Sequence, residues 1–206
     1  LAAGYFDPGA VEGYDVIQSG SVGGFFGNST TTNRAICRSP VPTASACLAN
    51  DFDIVELIGE VEFKVAGRPL MLFADLARNS QADYYFASIN PALNSRSGLD
   101  NAVAAGFTYG NARAPGSWEV GYLYQRVEKD ALMAQWFDSS FGAGATDSSG
   151  SVLRVANQIA GNLRFNLTYL LNQTNNAVPA SVPIPVARSV FDRDYRRLLL
   201  DLNLSY

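Results

Sequence analysis

Ten ionisable side chains are interleaved with apolar ones along the chain: Glu56, Glu60, Glu62, Lys64, Asp75, Glu119, Arg154, Arg164, Arg197 and Asp201. Their order separates the signs. The acids gather before residue 120 and the arginines after 150, with Lys64 and Asp201 as the minority charge in each group. Fixed charges in this pattern either act on water and polar solutes through their field or pair with one another to fill an interior. Bond-making chemistry has little to work with, because the 206 residues include no histidine. That removes Ser-His and Cys-His nucleophiles, the commonest general base and the commonest metal ligand. The acidic stretches ATDSSG and VEKDA lack the ligand spacing of an EF-hand. No metal, cofactor or enzymatic activity is therefore expected.

The segments that hold these charges alternate with a period of two, the repeat of a β-strand. Eight are predicted: LAAGYFDP at the start, then 53–65, 69–79, 101–110, 117–129, 151–160, 163–172 and the closing RRLLLDLNLSY. One parity is apolar in each. Val55, Leu57, Val61 and Phe63 oppose the three glutamates, and Leu163, Phe165, Leu167, Tyr169 and Leu171 oppose Arg164. In the tail Leu198, Leu200, Leu202, Leu204 and Tyr206 form the row, with Leu199 out of phase. Asn157 likewise interrupts the apolar row of 151–160. An all-β, antiparallel, up-and-down architecture follows, with 9–50 as a long loop and 51–206 as a seven-strand meander.

Most of these segments run to about ten residues, the length a tilted strand needs to cross a bilayer, against about five or six in ordinary domains. Alternate links are short, at 66–68, 113–116 and 161–162, and the others long, at 9–50, 81–100, 133–149 and 175–193. Short turns on one side and long loops on the other is the layout of an outer-membrane β-barrel. Phe63, Tyr109, Trp118, Phe165 and Tyr206 fall on apolar rows near the short-turn end, and Tyr124 and Tyr169 toward the long-loop end. Two aromatic girdles are expected where a barrel meets lipid headgroups. A soluble sandwich would produce the same parity, but charged residues are only 17%, against roughly 25% for a soluble domain. The mild net charge of −4 and the absence of a basic block leave nucleic acid without a footprint. No window of about 18 apolar residues offers a transmembrane helix. Cys37 and Cys47 are expected to close a loop disulfide in an oxidising compartment, the alternative being two unpaired thiols.

VELIGEVEFKVAGRPLMLFADLARN, SWEVGYLYQRVEKDALMAQWFDSSFGAGATDSSG and RDYRRLLLDLNLSY resemble the C-terminal half of the putative porins of Gram-negative outer membranes. The resemblance covers most of 51–206. It implies a passive diffusion channel for small hydrophilic solutes and ions, with the ten charged residues lining the pore and lipid around the apolar rows. It implies also that this chain is the last part of a barrel of about sixteen strands, and a homo-oligomer is compatible with it. The tail is similar to the terminal signal read by the outer-membrane barrel assembly machinery. The competing expectation is a sealed barrel, its charges paired, that serves as an envelope anchor or adhesin without transport.

Overall fold

The computed structural model describes residues 1–13, 28–31, 47–82, 99–136, 138, 140–174 and 194–205. Ten strands are present among them: β1 (Ala2–Phe6), β2 (Thr30–Thr31), β3 (Cys47–Leu48), β4 (Ile54–Val65), β5 (Arg68–Asn79), β6 (Asn101–Gly110), β7 (Trp118–Val127), β8 (Ser148–Ala160), β9 (Leu163–Thr174) and β10 (Tyr195–Leu204). Eight form one antiparallel sheet in the order β1-β4-β5-β6-β7-β8-β9-β10, and β2 pairs with β3. Each main strand thus lies beside its predecessor in the sheet. The two-residue strands β2 and β3 pair within 9–50, the segment expected to be a long loop. β7 ends two residues early and β8 starts three early, which makes the link between them 128–147.

The turns explain the register. Ala66 and Gly67 both take positive φ, 49° and 75°, the two-residue turn whose twist matches antiparallel strands. It sets Val65 opposite Arg68, and from there Phe63 opposite Leu70, Val61 opposite Leu72 and Leu57 opposite Leu76. The apolar rows continue rung by rung: Leu72 faces Phe107, Phe107 faces Tyr122, Tyr122 faces Leu153, Leu153 faces Tyr169, and Tyr169 faces Leu198. A one-residue slip at any pairing would send a whole row to the other face. β8 carries one irregularity, between Gln158 and Ala160. Asn157, the polar residue in the apolar row, donates its Nδ2 to the Ser117 carbonyl at 3.1 Å, which satisfies the amide near the end of the sheet.

The leucine row is not covered by a second layer among the described residues. Leu198, Leu200, Leu202 and Leu204 are 57–69% exposed, and Val55, Leu57, Val61, Leu76 and Leu153 are 42–55% exposed. A soluble sandwich would bury this row. The buried apolar residues lie on the reverse face instead, in two clusters. Leu48, Phe52, Ile54 and Met133 form one, with Val11, Ala77 and Leu132 against it. Phe141, Val152 and Leu170 form the other, with Leu123 and Leu199. The reverse face, where these segments lie, is the inner face below, and the leucine face the outer.

Candidate functional site

All ten charged residues read from the sequence stand at inner-face positions of the sheet. Glu60 is opposite Phe73, Glu62 opposite Met71 and Lys64 opposite Pro69. Arg154 lies between Gly121 and Thr168, Arg197 beside Leu170 and Asp201 beside Asn166. Strand order therefore separates the acids of β4 and β5 from the arginines of β8, β9 and β10. Between them, β6 presents only Ala102, Ala104, Gly106, Thr108 and Gly110 to this face. Gly106 has a steric reason: a Cβ there would run into the Tyr122 carbonyl and the ring of Phe73.

Only one pair of the ten meets as an ion pair among the described residues. Arg164 Nη2 lies 3.6 Å from Glu119 Oε1, and Arg164 Nε donates to Asn166 Oδ1 at 2.9 Å. Glu60, Glu62, Lys64, Arg154, Arg197 and Asp201 are exposed. Glu56 and Asp75 are half-buried and line one small cavity with Ala104, Gln125 and Leu132. The structure thus brings Glu119 and Arg164 together, sets Glu56 beside Asp75, and leaves the rest apart.

The 128–147 segment was not read from the sequence as part of this site, yet it folds onto the inner face at the long-loop end. Its Phe141, 2% exposed, packs on Val152 and Leu170. Leu132 and Met133 pack toward β4 and β5. A polar knot fastens the segment. The Ser29 N–H donates to Asp130 Oδ1 at 2.7 Å and Asn50 Nδ2 to Asp130 Oδ2 at 3.0 Å. Asn79 Nδ2 donates to the Asp130 carbonyl at 2.8 Å. Asn28 donates to the carbonyls of Lys129 and Leu132 and accepts from the Ala134 N–H, each at 2.8 Å. Burial pushes the Asp130 carboxyl above the usual carboxylate range, against the opposing pull of the Ser29 N–H, Lys129 and Asn50. The signal that marks this segment's footprint is present in the strands: Leu123, Leu170 and Leu199 are apolar where the parity calls for polar residues.

The aromatic positions fall on the outer face. Trp118 packs edge-on against Tyr109 with ring centroids 5.7 Å apart, and the Arg68 guanidinium lies 4.8 Å from the Trp118 ring centre. The Tyr109 hydroxyl donates to the Val65 carbonyl at 3.2 Å. Phe63 and Tyr124 are exposed, and Phe165 and Tyr169 half-buried. Tyr206 and Cys37 lie outside the described residues, and so does the expected Cys37–Cys47 disulfide. No group of three or more His, Cys, Asp or Glu placed to hold a metal ion occurs among the described residues.

A protein-family model described as a putative porin matches residues 26–187. No curated protein and no solved structure gives a significant match.

Proposed function

Given that this chain belongs to the putative porin family, we propose that it forms part of an outer-membrane β-barrel through which small hydrophilic solutes and ions diffuse passively. One observation carries the reading: nothing among the described residues covers the leucine rows, and the chain's own loop segment lies against part of the charged side instead. In water that arrangement is unfavourable, at about 1.5–3 kcal/mol for each large apolar side chain left uncovered. In a bilayer it is the ground state, provided the backbone groups at both sheet edges are paired. β1 covers β4 only from Ile54 to Ile58, and β10 pairs with β9 alone among the described residues. Closure is proposed to come from further strands, to about sixteen in all, a width that leaves a water-filled channel.

In that channel the acids of β4 and β5 stand across from the arginines of β8 to β10, and a permeating solute crosses a transverse field. The Phe141 segment narrows the passage at the long-loop end. No side chain is assigned a chemical step. A second reading, a sealed barrel that anchors or adheres, is favoured by that same inward segment, which covers part of the inner face with apolar contacts.

Planar-bilayer recording with the complete protein separates the two. The channel reading expects stepwise conductance whose cation-to-anion selectivity changes in opposite directions in Glu60→Gln and Arg164→Gln. Folded protein that passes no current establishes the sealed barrel.

A further inference from the structure

We propose that the long-loop end of the outer face carries a groove for an anionic lipid with a phosphomonoester headgroup, with Arg78 and Arg126 as its phosphate ligands. The inference rests on the reading that this face meets lipid. A shallow groove of about 510 Å³ runs over Leu57, Leu76 and Val103, with Arg78, Arg126 and Glu128 at its loop end. Both arginines share the parity of the apolar rows: Arg78 stands opposite Val55, and Arg126 opposite Val103. They occupy β5 and β7, with β6 between them, at the loop end of the apolar rows.

Their ion pairs are lopsided, and that decides what the surface presents. Arg78 Nε lies 2.9 Å from Asp100 Oδ2, with the two side chains 64% and 3% exposed. Arg126 Nη2 lies 3.1 Å from Glu128 Oε1, with the two 48% and 14% exposed. The carboxylates also accept from Asn101: Asp100 from its Nδ2 and Glu128 from its backbone N–H. Each acid is thus more buried than the arginine it holds, although Glu128 also lines the groove. A guanidinium has five N–H donors in a planar fork, so most remain for an acceptor outside. A phosphate fits that fork in two-pronged fashion, and in lipid it sits at the depth where the hydrocarbon ends, with acyl chains left to lie along Leu57, Leu76 and Val103. Arg196 marks the limit of the argument. It lines a second groove of about 240 Å³ beside Tyr124 and Leu171, but its partner Asp194 is as exposed as it is, 72% against 69%, so no outward cation results.

The test uses the complete protein in detergent, offered dioleoyl phosphatidic acid or dioleoyl phosphatidylcholine, with retained lipid counted by native mass spectrometry. One surface arginine contributes about 1 kcal/mol toward anionic lipid, so the wild type is expected to retain phosphatidic acid at least about fivefold better. Arg78→Gln and Arg126→Gln each reduce that preference, and together they abolish it, while retention of phosphatidylcholine is unchanged. Equal retention of the two lipids by the wild type overturns the proposal, as does a preference that survives both single substitutions. Failure of the folded wild type to retain either lipid would instead remove the lipid-facing reading on which this one stands.

Discussion

Leu199 and Leu200 are neighbours in the chain with opposite surroundings. Leu199 points to the inner face, where it packs against the cluster of Phe141, Val152 and Leu170. Leu200 points to the outer face and is 63% exposed, with Leu198 and Leu202 beside it at 57% and 69%. The same contrast holds across the sheet. Inner-face leucines occur where a loop segment comes to meet them, and outer-face leucines form rows that nothing in the described chain meets. Apolar surface needs a cover in either case. On one face the chain supplies it; on the other the surroundings must. The inner face also differs along its own length, closed by 128–147 at the loop end and open around Glu60, Glu62 and Asp201 toward the turns.

Three substitutions test that contrast. Phe141→Ala removes the chain-made cover, at a cost of about 3–5 kcal/mol for a buried phenylalanine. The loss is expected to fall on the inward segment, seen as protease cleavage within 128–147 and as larger single-channel conductance. Unchanged cleavage and unchanged conductance would mean that the segment is not held by this ring. Leu200→Arg attacks the other face. An arginine at mid-bilayer costs a barrel about 2–4 kcal/mol, so folding into vesicles, followed by the heat-dependent gel shift, is expected to fail or slow. Asn203→Arg, two strand positions from Asp201 on the inner face, is expected to change stability by less than about 0.5 kcal/mol. Equal penalties for the two arginines would break the distinction between the faces.

Asp130 gives a pH test of the knot that ties the inward segment down. Its carboxyl is raised above its unfolded value by burial, so its protonated form is favoured in the folded state. The stability it contributes is full below the unfolded value and is lost as pH rises through the folded one. Asp130→Asn, neutral at every pH, is therefore expected to melt above wild type at pH 7, and the gap is expected to narrow on acidification. A gap independent of pH would show that the carboxyl is not titrating in the knot. A modest effect on permeation belongs to the open part of the inner face. Glu60→Gln is expected to lower cation preference by no more than about fivefold, since one charge in water acts with about 1 kcal/mol at close range, and to leave folding in vesicles unaltered. Reversal-potential measurements in a salt gradient read it directly.

Much of this was legible in the residues. The strand set was readable because period-two alternation survives on both sides of every short turn, and Ala66-Gly67 pins one hairpin through its backbone alone. The inner-face placement of Glu56, Glu60, Glu62, Arg154 and Arg164 followed from parity, which strand geometry makes binary. The Glu119–Arg164 contact was not legible, because it spans from β7 to β9 and depends on how two side chains reach past β8. Nor was the Asp130 knot, whose partners Ser29, Asn50 and Asn79 come from separate stretches of chain.

The sequence by itself determined which side chains share a face, because a strand leaves each residue only two directions and the turns preserve the count. Only the tertiary structure decided which face the chain covers for itself. That choice rests on where 128–147 comes to lie, and irregular segments carry no period from which a destination can be read. Leu123, Leu170 and Leu199 were out of step in the sequence from the start, and Phe141 is what they were waiting for.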